Sequence, residues 1–224
     1  MRRNTRLLTV ALVTAALALA ACTDSKRYDQ AICILIDVSG TYADEKGEAV
    51  RILKREVLPM LEPGDTVLVI RIDSESYEKD NLEALVTLDA RPSKANAQKL
   101  ALARKLDEFA ASGARSTHTD IPGAMMLGAE YLAELQSGSR VMLVFSDMAE
   151  DLPKGATRKL DEAEFKDIRV VAMNVKRLQG DSIDPQIFRE RMAGWEQRVT
   201  AASAESWRTM MDSSKLPSFL ASAR

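Results

Sequence analysis

Strand-length apolar runs alternate with helix-period segments along most of the chain, and this alternation restricts the fold more than any other feature. Ala31 to Ile36 is continuously apolar and ends at Asp37. Val67 to Ile72 and Val141 to Phe145 read the same way, and Ile168 to Val175 is a further run rich in β-branched residues. Runs of this length and composition suit strands covered on both faces. Leu82 to Leu88 is a shorter candidate, expected to pair as a hairpin at one edge after a solvated, charged turn from Asp73 to Asp80. Trp207 to Met211 is a candidate last strand.

The segments between have helical period. Val50, Leu53, Val57 and Leu61 share one helix face, as do Leu102, Leu106 and Phe109, with Gly113 as the expected stop. Leu127, Tyr131, Leu132 and Leu135 form a third stripe, expected to stop at Gly138. Phe188, Met192, Trp195 and Val199 form a fourth, opened by Asp184 as cap and Pro185 in the first turn. A short terminal helix is expected around Leu216 to Leu220, and a helix-containing connection near Ala156 to Phe165. Strand alternating with helix predicts a Rossmann-like three-layer α/β/α fold, with a central, mostly parallel sheet and one antiparallel edge strand.

The first 21 residues stand apart from this pattern. Arg2, Arg3 and Arg6 precede the uncharged stretch Leu7 to Ala21, which is short for a bilayer span and reads as a signal peptide. It closes as Leu19-Ala20-Ala21-Cys22, which resembles the bacterial lipobox. That resemblance implies lipidation at Cys22, a tether over residues 22–30, and a domain over 31–224 at the bacterial cell envelope. Thr23, not aspartate, follows the cysteine, which leans toward the outer membrane where one exists. With Cys22 consumed, only Cys33 remains, so neither an internal disulfide nor a cysteine zinc site is available. Removing residues 1–21 takes three arginines and no acids, leaving 28 basic against 33 acidic residues and a net charge of −5. That balance disfavours nucleic acid as a partner, because phosphate binding needs a cationic surface.

Oxygen-bearing side chains collect where strands should end. Asp37, Ser39 and Thr41 follow the first strand as Asp-Val-Ser-Gly-Thr. Thr119 stands just before the third helix, and Asp147 follows the Val141 to Phe145 run as Val-Phe-Ser-Asp. In open α/β sheets, ligands bind at the carboxyl ends of strands, near the point where strand order reverses. Two carboxylates and three hydroxyls are hard donors of low total charge, suited to Mg²⁺, with Mn²⁺ or Ca²⁺ as alternatives.

These residues resemble the metal-ion-dependent adhesion site of von Willebrand factor A domains. That family begins with Asp-x-Ser-x-Ser, adds a Thr before a later helix, and adds an Asp after the fourth strand. Asp37 and Ser39 match, Thr41 keeps the hydroxyl of the second Ser, and Thr119 and Asp147 match by context and position. The chain departs from the family in having Thr117-His118 before Thr119, where Gly is frequent, and acidic Glu150 and Asp151 after Asp147. The resemblance implies a non-enzymatic module binding a protein partner, whose acidic residue completes the ion's coordination. Tyr42, His118, Glu150 and Asp151 are the expected rim contacting that partner.

Two other readings remain open. Asp-Val-Ser-Gly-Thr also resembles the Asp-x-Asp-x-Thr loop of haloacid dehalogenase-like phosphatases. Ser39 stands there in place of the second acid, and a hydroxyl of ordinary pKa cannot serve as general acid near neutrality. The other is a metal-free interaction scaffold.

Overall fold

The computed structural model describes residues 28–40, 42–161 and 163–224. The signal segment, the lipidation site Cys22, residues 23–27 of the tether and the candidate ligand Thr41 lie outside the described residues.

Six strands form one sheet: β1 (Gln30–Asp37), β2 (Thr66–Ile72), β3 (Leu82–Thr87), β4 (Ser139–Phe145), β5 (Ile168–Met173) and β6 (Ser206–Met210), in the order β3-β2-β1-β4-β5-β6. Only β3 runs antiparallel, against β2 at one edge, as the hairpin expectation requires. The others pair in parallel, and Ile36 of β1 stands opposite Phe145 of β4. Strand order reverses between β1 and β4, which places the switch point at the ends of those two strands.

The helices are α1 (Lys46–Ile52), α2 (Pro92–Ala111), α3 (Ile121–Glu134), α4 (Gln179–Ile183), α5 (Pro185–Ala201) and α6 (Leu216–Ser222). A widened π turn (Leu53–Val57) and a 3₁₀ turn (Leu58–Met60) extend α1, so Val50, Leu53, Val57 and Leu61 still bury together. The period of two along β1 divides the interior. Ile32, Ile34 and Ile36 point to α1, α2 and α6, whereas Ala31, Cys33 and Leu35 point to α3 and α5. A side-chain carbon on Gly128 of α3 would sit 2.7 Å from Cys33 Sγ, so glycine is what lets α3 approach β1. Cys33 is a buried packing residue, and burial pushes its thiol well above the ordinary range.

Several expectations need correction. No helix forms among the described residues of 149–167. Leu160 and Phe165 enter the core singly, five residues apart, and Pro153 and Gly155 interrupt any helical ladder before them. The second stripe belongs to a helix that begins ten residues before Leu102, at Pro92, and ends at Ala111 before reaching Gly113. The third helix stops at Glu134, ahead of Gly138. The fourth opens as expected, with Asp184 accepting from Gln186 N at 2.8 Å.

Candidate functional site

At the carboxyl ends of β1 and β4, three loops are stitched to one another. Ser116 N donates to Val38 O at 3.0 Å, drawing the loop before α3 across the end of β1. Thr119 N donates to Asp151 O at 2.7 Å, and Asp151 N returns a bond to Thr119 O at 3.1 Å, joining that loop to the one after β4. Ser146 Oγ donates to Asp37 Oδ2 at 2.7 Å, closing the third side.

Asp37 is fully buried and its carboxylate orientation is set from two directions, because Ser39 N also donates to Oδ1 at 2.7 Å. Burial raises its pKa, hydrogen bonding from Ser39 and Ser146 opposes this, and the nearby charge of Asp147 adds to the rise. Asp147 is also fully buried, with Oδ1 accepting from Ala149 N at 2.9 Å. Thr119 is also buried, in the stitched loop.

Ser39 sits in a tight turn whose carbonyl accepts from both Tyr42 N (3.0 Å) and Ala43 N (2.7 Å). Its hydroxyl lies near enough to Asp37 to temper that carboxylate, yet makes no hydrogen bond of normal geometry. Among the described residues, Ser39 Oγ and Tyr42 Oη are buried hydroxyls with no hydrogen-bond partner. Buried polar groups are seldom left in that state.

The rim expectation fails for Tyr42. Its side chain is 0% exposed and belongs to the core cluster that also holds Ile36, Val38 and Phe145. His118 is half-buried, with Nδ1 3.0 Å from Asp151 Oδ2. Asp151 is exposed, and Glu150 is ion-paired with Arg198 of α5. The Asp73 to Asp80 turn, expected to be merely solvated, lines a cavity of about 620 Å³ shared with Val38, Ser116 and Thr117.

Sequence reasoning missed three supporting residues. Ser146 holds Asp37, and its only signal was a hydroxyl beside the strand-end acid. Trp195 was read as packing, but its indole N–H donates to Met148 O at 2.8 Å, holding the loop after Asp147, where Met148 has φ +60°. A buried indole N–H usually finds an acceptor. Asp120 caps α3 by accepting from Gly123 N at 2.9 Å, and also accepts from Ser76 N and Arg158 Nε.

Among the described residues, no group of three or more His, Cys, Asp or Glu side chains is placed to hold a metal. The donors brought together here are two carboxylates with hydroxyls. That set, with Ser39 Oγ lacking a partner, fits a small hard cation that retains water, and does not fit a zinc-type centre.

No protein-family model matches the chain, and no curated protein is similar enough to count as a match. Similarity is found among solved structures. An aerotolerance-related membrane protein from Bacteroides fragilis superposes with a TM-score of 0.50 at 13% identity, over 87% of this chain and 98% of that one. A variant of the PilB minor pilin from Streptococcus sanguinis gives 0.52 at 9% identity, over 89% of this chain and 61% of that one. A von Willebrand factor type A protein from Catenulispora acidiphila gives 0.49 at 11% identity, over 85% and 41%. At these identities the likeness is one of fold. Helices on both faces of a six-stranded sheet, parallel but for one edge strand, make this a Rossmann-like three-layer α/β/α fold.

Proposed function

We propose that this domain is an envelope-tethered binding module that recognises a protein partner through a divalent ion. Mg²⁺ is the first candidate, with Mn²⁺ and Ca²⁺ behind it. One observation carries the reading. A buried serine hydroxyl without a partner stands beside a buried aspartate that forms no ion pair among the described residues, at the edge where strand order reverses.

Asp37, Ser39, Thr41, Thr119 and Asp147 are the residues that would hold the ion. When bound, such an ion supplies a positive centre whose open coordination position a partner's Asp or Glu can take. Ser39 N and Ser146 Oγ fix the Asp37 carboxylate in advance, so ordering costs little on binding. The serine and threonine hydroxyls are neutral donors and leave the ion with charge for the partner. The loops bearing Thr119 and Asp147 are held by the Thr119–Asp151 pair and by Trp195. His118 and Asp151 form the accessible rim, with Glu150 partly shielded by Arg198. The reading involves no turnover. Cys22 would carry the lipid anchor; among the described residues, no helix is long and apolar enough to cross a membrane.

Calorimetric titration of the purified protein with Mg²⁺ and Mn²⁺ tests the site, and uptake of one equivalent that disappears in Asp37→Ala is expected. Crosslinking in isolated envelopes tests the function. Partner capture should fall away with EDTA and in Asp37→Ala; capture unaffected by both would overturn it. Labelled palmitate should enter the wild-type chain and not Cys22→Ser.

A further inference from the structure

We infer that the cavity between the β2–β3 turn and the stitched loops takes an arginine side chain of the bound partner. This rests on the partner-recognition reading above and adds a basic residue to the acidic one offered to the ion.

The turn after β2 lines this cavity of about 620 Å³, and its shape is fixed in advance. Asp120 N donates to Asp73 O at 2.7 Å, Ser76 N donates to Asp120 Oδ2 at 3.2 Å, and the Ser74 and Ser116 hydroxyls are bonded at 2.7 Å. Val38, Ser116 and Thr117 also line the cavity, and they belong to the loops that carry Ser39 and Thr119. A side chain that enters here lies next to the edge where the ion is proposed.

The charged lining is Asp73, Glu75, Glu78 and Asp80 with Arg71 and Arg115. Both arginines are already committed, Arg71 to Asp73 and Glu83, and Arg115 to Asp44. Glu75, Glu78 and Asp80 are exposed and form no ion pair among the described residues. An ordinary solvated turn would show that much. Asn81 adds what such a turn does not. It is 2% exposed and lines the cavity. Its amide nitrogen donates to Glu75 O at 2.9 Å, which fixes the amide orientation, and its amide oxygen has no hydrogen-bond partner. A buried acceptor left open calls for a donor. Carboxylates and an amide oxygen lining one cavity suit a planar fork of N–H donors, which a guanidinium has and an ammonium lacks. Its alkyl stem can lie along Val38 and Ala114.

Amide chemical shifts of the purified protein test this in EDTA, with N-acetyl-arginine amide as probe and N-acetyl-citrulline amide as its neutral isostere. The arginine probe should saturably move signals from residues 73–81 and 114–117. The citrulline probe should bind roughly tenfold more weakly. Saturable binding should be lost in the triple variant Glu75→Gln, Glu78→Gln, Asp80→Asn. Those side chains are exposed, so the fold is expected to persist, and unchanged shifts elsewhere check it. Equal binding of the two probes overturns the assignment, as does arginine binding that survives the triple variant or leaves these signals unmoved. Mg²⁺ uptake by a protein that does not bind the arginine probe defeats this inference and leaves the ion reading standing. Arginine binding without Mg²⁺ uptake keeps the cavity's role and removes the ion.

Discussion

Two buried aspartates stand at opposite edges of the same sheet, and their surroundings differ in kind. Asp65, just before β2, is fully buried and saturated. Gln30 N and Glu62 N donate to its two oxygens at 2.8 and 2.7 Å, and Arg224 reaches both at 3.1 and 2.5 Å. Arg224 also donates to Met60 O and Tyr28 O, so the aspartate closes a network joining both ends of the described fold. Asp37, at the end of β1, is equally buried and accepts from Ser39 and Ser146, but forms no ion pair among the described residues. In the turn that follows it, two buried hydroxyls, Ser39 Oγ and Tyr42 Oη, have no partner. The amino edge of the sheet is electrostatically complete within the chain. At the carboxyl edge hydrogen bonds hold Asp37 in place, but among the described residues no cationic side chain pairs with it.

The largest effect belongs to the complete edge. Asp65→Ala leaves the half-buried Arg224 without its carboxylate and orphans two backbone donors. It should cost about 3–5 kcal/mol, read from urea denaturation. A loss well under this range would mean the network is not the stabilising element assigned to it.

Asp37→Asn should behave in the opposite way. Ion uptake is lost, yet the metal-free protein should gain about 1 kcal/mol, since a buried charge without a counter-ion has been removed. The pH dependence carries the same sign. Asp37 is raised from an ordinary value of 3.8, so the folded state holds its proton more tightly than the unfolded state. Its contribution is therefore fully favourable below about 3.8 and is lost as pH rises through the folded value. The advantage of Asp37→Asn over wild type should grow across that window in EDTA and shrink or reverse with saturating Mg²⁺. An advantage that does not change with pH would break the contrast between the two edges.

Trp195→Phe probes how the carboxyl edge is held. The ring survives, and Met148 O loses its donor. About 1–2 kcal/mol of stability should go, with a weaker metal response in melting experiments. Equal losses in stability with an unaltered metal response would assign Trp195 to the core alone. The smallest effect is at the rim. His118 and Asp151 are 36% and 65% exposed in their side chains, and His118→Gln should change stability by less than about 1 kcal/mol. A larger loss would make this clasp part of the frame.

The main lines of the fold were legible because they follow from short-range chemistry. Continuous apolar runs require cover on both faces, so β1, β2, β4 and β5 could be placed within a residue or two. Asp184-Pro185 could be read as a helix start because capping is local. Asp37, Ser39, Thr119 and Asp147 could be placed at strand ends or a helix start for the same reason. The connection at 149–167 misled, because Ala156, Leu160 and Phe165 look near-helical until Leu160 and Phe165 are seen entering the core one at a time.

What the chain determined by itself is the layering. Period two in strands and three to four in helices leaves the apolar atoms few ways to escape water. What only the tertiary structure decided is which polar atoms end up satisfied. The motif around Asp37 marks it in the sequence, but the order of residues does not show that Asp65 is met by an arginine 159 positions away and Asp37 by a serine 109 positions away. Nor could it place Tyr42 beneath the site and not on its rim, since one backbone turn sets that direction. Hydrogen bonds and buried charges depend on contacts between distant segments, and those contacts exist only once the sheet has closed its strand order.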